Sequence, residues 1–157
     1  MKITLMVVGK TGSANLRAGI EEYASRINRY IPFEIIELPD VKTSRKLTEQ
    51  AQKQAEGEMM LQKIQGGDHV VLLDEHGREM TSREFSRDLE RKSLTVPRRL
   101  WFVVGGPYGF SPDVYARANE KLSLSKMTFP HEMVRLFFTE QLYRAMTIQR
   151  NEPYHHD

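Results

Sequence analysis

The chain has no cysteine among its 157 residues. That removes disulfides, thiolate zinc sites and a cysteine nucleophile together, and it is compatible with a reducing compartment. Long apolar runs are missing as well: no stretch approaches the ~20 residues that a membrane-spanning helix needs. The opening Met1 to Gly9 is too short for a secretion signal and no small-residue cleavage site follows it, so it reads as a first buried strand. The default location is the cytoplasm. Nor is there an excess of one charge: 23 Lys and Arg face 21 Asp and Glu, a formal net charge of +2. Such a balance neither requires nor excludes a nucleic-acid partner. The five histidines, His69, His76, His131, His155 and His156, show no metal-ligand spacing, and no metal is expected. A Gly-x-Ser-x-Gly elbow is absent, which argues against a serine hydrolase. Repeats, low-complexity tracts and linkers are also lacking, and the length suits one domain over 1–157.

What is present alternates between two periods. Apolar, β-branched runs at 2–8, 33–38, 69–74 and 99–104 read as strands, with a short one at 121–125. Three are almost continuously apolar, as parallel strands covered on both faces are. The 33–38 run carries Glu34 and Glu37 and belongs nearer an edge. Helical spacing marks 13–30; 47–64, polar with its apolar residues gathered at the end, 81–93, opened by Thr81 or Ser82 with Glu84 placed as in a capping box, and 112–119, after Ser111, are further helix candidates. The expected class is α/β, a mainly parallel sheet with helices on both faces. The polar, basic stretch Asp40 to Lys46 reads as an exposed loop. Over 133–148 the apolar residues point all round the helix axis, which fits either a central core helix or burial against a second copy.

Four segments carry candidate chemistry. Trp101-Phe-Val-Val-Gly-Gly-Pro-Tyr-Gly-Phe110 is a strand that stops in a glycine-rich turn, with Ser111-Pro112-Asp113 opening a helix. Gly105, Gly106 and Gly109 permit positive φ and close approach. At the carboxyl end of a strand in an open α/β sheet, that is where ligands bind, although an ordinary strand-to-helix turn reads the same way. Gly9-Lys10-Thr11 lacks the earlier glycine of a phosphate-binding loop, because Thr4 stands there. Asp74 or Glu75, after Leu72-Leu73, can hold a hydroxyl or an amine, or simply end the strand. Ser123 to Glu132 mixes hydroxyls with Leu124, Met127 and Phe129. Pro130 and Glu132 suit a helix start, and the rest suits a loop that wraps an adenine. In the last helix His131 and Arg135, and Glu140 and Arg144, lie one turn apart.

Taken in order, Leu72-Leu73-Asp74, Val104-Gly-Gly-Pro-Tyr-Gly109, Leu122-Ser-Leu-Ser-Lys-Met-Thr-Phe-Pro-His131, Glu140-Gln-Leu-Tyr-Arg-Ala145 and Pro153-Tyr-His155 resemble the RlmH family. These are SPOUT-class methyltransferases that act on a pseudouridine in large-subunit ribosomal RNA. The resemblance runs the full length. It implies a homodimer, a C-terminal trefoil knot, and S-adenosylmethionine as cofactor at Leu73, Gly105, Leu124, Ser125, Lys126, Met127, Thr128 and Phe129. It also implies ribosomal RNA, in assembled ribosomes, as partner. His156-Asp157 departs from the basic residue often found after the Tyr-His pair.

The acceptor expected from that resemblance, N3 of pseudouridine, must lose a proton. His155 is the expected base, with Tyr154 stacking on or hydrogen-bonding the nucleobase and Arg144 stabilising negative charge. RNA contact is expected from Arg83, Arg87, Arg91, Lys92, Arg98 and Arg99, with Lys42, Arg45 and Lys46, unless these form only a solvated face. Two other functions fit the same residues: a ribosome-associated module without catalysis, and a SPOUT methyltransferase with another RNA target.

Overall fold

The computed structural model describes residues 1–41 and 47–157. Among these residues five strands, β1 (Lys2–Val8), β2 (Phe33–Leu38), β3 (His69–Glu79), β4 (Arg99–Val104) and β5 (Glu120–Ser123), form one sheet in the order β2-β1-β4-β3-β5. Every neighbouring pair is parallel. β2 is an edge strand, as its two glutamates imply. The described helices are α1 (Ala14–Ile27), α2 (Glu49–Lys63), α3 (Ser82–Thr95), α4 (Pro112–Arg117) and α5 (His131–Gln149).

Alternation along the strands builds two cores, because successive side chains point to opposite faces. Ile3, Leu5, Val7, Val71, Leu100, Phe102 and Val104 meet Ile27 of α1, Phe85 and Leu89 of α3, and Phe138 and Leu142 of α5. On the other face Met6, Val70, Leu72, Trp101 and Val103 meet Met60 of α2 and Val114 of α4. Trp101 is wholly buried, and its indole N–H donates to Asp68 at 2.8 Å. The partner matters, since a buried donor left unsatisfied costs about 1–3 kcal/mol.

The expected strand bounds hold for β1, β2 and β4; β5 covers 120–123 where 121–125 was expected, and β3 differs most. The expected strand ends at residue 74, whereas the observed one continues to Glu79 past an irregularity. Leu122 of β5 pairs with both Leu73 and Arg78, so residues 74–77 loop out of the ladder. Gly77 makes this feasible. A Cβ there would lie 2.6 Å from backbone atoms of Lys121 and Leu122, closer than any side chain allows. The bulge raises Asp74, Glu75 and His76 above the carboxyl end of the sheet.

The capping box at Thr81 and Glu84 forms as expected. Pro130, expected at the first helical position, is instead the cap residue before His131. α5 ends in a Schellman turn: Asn151 takes φ 55°, its N–H reaches the Ile148 carbonyl at 3.1 Å, and Glu152 N–H reaches Thr147 at 3.0 Å. Asn tolerates this left-handed conformation better than most residues. The reversal sends residues 152–157 back along α5.

Candidate functional site

In a parallel sheet all carboxyl ends lie on one side, and β4, β3 and β5 are neighbours. Their following loops therefore converge. Between them lies a cavity of about 430 Å³. Its walls are Leu73 to His76 at the bulge in β3, Val104 to Phe110 from the end of β4 onward, and Leu122 to Phe129 from the end of β5 onward, less Ser123 and Lys126. Tyr115 of α4 and His131 and Val134 of α5 complete it. Of the eight expected cofactor residues, Leu73, Gly105, Leu124, Ser125, Met127, Thr128 and Phe129 line this one space. Lys126 points outward, 84% exposed, and lies 3.7 Å from Glu79.

The glycine turn is shaped from within. Gly109 N–H donates to the Gly106 carbonyl at 3.1 Å, and Gly109 alone of the three takes positive φ, at 81°. Gly106 is small for another reason: a Cβ there would collide with the Glu56 carboxylate of α2. Of the two properties that glycine permits, Gly105 and Gly106 use close approach and only Gly109 uses positive φ. Close internal packing, not backbone handedness, excludes a side chain.

The hydroxyls after β5 brace their own loop. Ser123 Oγ donates to the Ser125 carbonyl at 2.9 Å, and Ser125 Oγ accepts from Met127 N–H at 3.0 Å. Thr128 reaches Glu75 across the mouth at 3.4 Å. With the hydroxyls engaged in this way, the loop offers mainly backbone groups and the apolar bodies of Leu124, Met127 and Phe129 to a ligand.

Charge at this cavity is one-sided: the carboxylates Asp74 and Glu75 line it and, among the described residues, no Lys or Arg does. Tyr115, which sequence reasoning did not single out, donates to Asp74 at 2.5 Å. Burial, reinforced by that hydrogen bond, pushes the Tyr115 phenol up to about 12. Burial works to raise Asp74, but hydrogen bonds from Tyr115 and His76 N–H hold it below the ordinary carboxylate range. The volume falls within the roughly 300–1,000 Å³ of small-molecule sites. An apolar slot with acidic lips fits a flat heteroaromatic ligand that bears positive charge.

Arg135, paired with His131 in the sequence reading, proves to be structural. It is 4% exposed and donates to the Val8 carbonyl at 2.7 Å, and to the Gly9 carbonyl and Thr11 hydroxyl at 3.0 Å each. Gly9-Lys10-Thr11 is thus a loop clasped to α5.

A second polar cluster forms where residues 152–157 fold onto α5. Arg144 Nε donates to Glu140 at 2.9 Å and Arg144 Nη1 to His155 Nδ1 at 3.0 Å. Tyr154 donates to Glu140 at 3.2 Å, and its ring lies edge-on to Tyr143 with the Arg144 guanidinium 4.9 Å from its centre. Burial pushes the Tyr154 phenol well above its usual range, with help from Tyr23 and Glu140. Guanidinium only donates, so Nδ1 of His155 accepts and the ring proton sits on Nε2, 2.8 Å from Asp157. The three expected catalytic residues, His155, Arg144 and Tyr154, are therefore in mutual contact. None of them lines the cavity described above. Between the two places lies a smaller cavity of about 290 Å³, walled by Leu124, Ser125 and Phe129 on one side and Glu140 on the other.

Most cations of the expected RNA patch face carboxylates, Arg83 included. Lys92 is buried and paired with Asp88; Arg91 also pairs with Asp88, Arg98 with Asp68, and Arg99 with Glu34. Arg83 and Arg87 stay beside His155 on the surface. Lys42, Arg45 and Lys46, and most of the loop read over Asp40 to Lys46, lie outside the described residues.

Comparison with known proteins places this geometry in context. Residues 1–155 match the family described as predicted SPOUT methyltransferase. The chain is 58% identical to ribosomal RNA large subunit methyltransferase H of Parabacteroides distasonis and 54% identical to that of Porphyromonas gingivalis, over the full length of each protein. Its fold is similar to that of a probable methylase family protein from Haemophilus influenzae, with a TM-score of 0.52 at 13% identity. That match covers 95% of this chain and 66% of the other.

Proposed function

We infer that this chain, which belongs to the SPOUT methyltransferase family, methylates large-subunit ribosomal RNA. The donor we assign is S-adenosylmethionine and the acceptor N3 of a pseudouridine, in assembled ribosomes in the cytoplasm. The observation that carries this reading is the convergence of Leu73, Gly105 and the 124–129 loop on one apolar, acid-lipped cavity. When bound, S-adenosylmethionine supplies an electrophilic methyl group on a positively charged sulfur. Leu124, Met127 and Phe129 would hold its heteroaromatic base, and Asp74 and Glu75 its positive charge.

The chain's own part is to bind, orient and remove a proton. His155 takes the N3 proton at Nδ1. That lone pair now faces Arg144. Turning Arg144 onto the carbonyl oxygens of the acceptor frees it, and also places positive charge where negative charge develops. Tyr154 packs beside the nucleobase. Since these residues do not line the cavity of their own chain, we assign them to the cavity of a second copy, in a homodimer whose two sites are each composite. The half-exposed Phe137, the exposed Met127 and the adjoining Phe129 offer an apolar rim for that contact. The trefoil knot implied by the family resemblance belongs to the same proposal.

The test offers labelled S-adenosylmethionine with assembled ribosomes, free subunits and naked RNA, then maps the label by nucleotide. Label at a single pseudouridine, only in ribosomes, is the expected result. Label on another nucleotide, or none, defeats the assignment.

A further inference from the structure

Asp157 is held by more donors than a surface carboxylate usually has. Arg83 Nε donates to both of its oxygens, at 2.8 and 3.0 Å, and His155 Nε2 reaches Oδ1 at 2.8 Å. The depression around it is lined by Thr81, Ser82, Arg83, Glu84, Arg87 and His155. Glu84 is drawn back into the capping box on Thr81 N–H, at 3.2 Å, so its charge is engaged at the start of the helix. What remains is a convergent donor set around one exposed carboxylate.

We propose that Arg83, Arg87 and His155 form a phosphodiester subsite for the RNA substrate, and that Asp157 is its internal occupant, displaced when the substrate binds. The subsite rests on the methyltransferase reading above for the identity of the RNA, but not for its geometry. An exchange of this kind is easy because the Asp157 and Arg83 side chains are 69% and 47% exposed, and exposed ion pairs contribute little. It also preserves the catalytic arrangement. Whichever anion sits there accepts the Nε2 proton of His155, so Nδ1 keeps its lone pair for the acceptor. A phosphate in place of Asp157 gains Arg87 as a further cation and releases counterions, which drives binding. The chain thus carries its own competitor for one backbone contact.

Affinity for purified ribosomes across a salt series, for single variants and the double variant, tests this. Asp157→Asn should bind roughly three- to tenfold more tightly. Arg83→Gln should bind about tenfold more weakly, with the slope of affinity against salt reduced by about one. In the Arg83→Gln background, Asp157→Asn should gain less than in the parent. Unchanged affinity in Asp157→Asn overturns the subsite, as does a gain undiminished by loss of Arg83. Inorganic phosphate at matched ionic strength covers the free-anion case. Phosphate binding that needs Arg83, without any effect of Arg83→Gln on ribosome affinity, would remove RNA as the ligand. The methyltransferase reading fails separately, by absence of methyl transfer, and would leave this pattern of affinities in place.

Discussion

The cavity at the carboxyl ends of β3, β4 and β5 and the cluster on α5 are built by opposite means. The cavity is framed by backbone, a glycine turn, a bulge and a loop braced by its own hydroxyls, and is lined by apolar and acidic side chains. The cluster is made of side chains, a chain of hydrogen bonds running from Tyr154 through Glu140 and Arg144 to His155 and Asp157. A cavity lined by many side chains loses affinity by degrees when one of them is truncated, whereas a side-chain relay is lost with any one member. The difference separates holding a ligand from moving a proton, and it predicts that mutations in the two places have separable effects.

The largest expected effect lies in the relay. His155→Ala should lower turnover by roughly 10²–10⁴-fold, the usual range for a general base. Calorimetry should show binding of S-adenosylmethionine within a few-fold of the parent, because His155 is assigned to the acceptor and not to the groups that hold the cofactor. Undiminished turnover would remove His155 from the mechanism. Composite sites sharpen the comparison further. Gly105→Val should block the cavity and leave the relay intact. Mixed and reassociated with His155→Ala, it should restore about a quarter of the parent activity, since half of the dimers are mixed and each holds one intact composite site. No recovery would place both halves of each site in one chain.

How much of this was legible beforehand follows the same division. Apolar runs marked the strands, and helical spacing or start signals marked the helices, because burial on two faces leaves a dense apolar signature and a helix start needs a cap. The Val104-Gly105-Gly106 turn was legible for a similar reason: an abrupt loss of side chains is visible in a list of residues. The β3 bulge was not. Leu73-Asp74-Glu75-His76-Gly77 looks like a strand ending, and only its second pairing with β5 explains why residue 77 is glycine. Arg135 was missed as a clasp because its partners are carbonyls more than 120 positions away. The return of residues 152–157 had a usable signal, Asn151 after a helix, which names the left-handed turn. The pairing of the basic residues was not legible, because a list of residues does not show which arginines face carboxylates.

Gly77→Ala probes the cavity wall. Its Cβ would press on strand backbone that cannot yield as a flexible side chain does, and overpacking of this kind costs about 1–3 kcal/mol. Urea unfolding should show that loss, and cofactor affinity should fall with it as the bulge shifts. Stability equal to the parent would mean that β5 gives way without consequence.

The smallest effect isolates a single bond at the cavity lip. Tyr115→Phe removes the donor to Asp74, a hydrogen bond to a charged group that partial exposure reduces to about 1 kcal/mol. The pH dependence identifies it. Burial and the bond to Asp74 raise Tyr115 from the ordinary 10 to about 12, so its contribution is complete below pH 10 and disappears as pH rises through 12. Tyr30, raised to about 12 by burial and Glu152, adds an alkaline loss that both proteins share. The gap in unfolding free energy between parent and variant should therefore be constant from about pH 7 to 9 and close between about pH 10 and 12, whatever the absolute stabilities do. A gap that stays open at the alkaline end would show that the substituted ring is penalised for packing, and that the Asp74 contact holds the lip in place by shape alone.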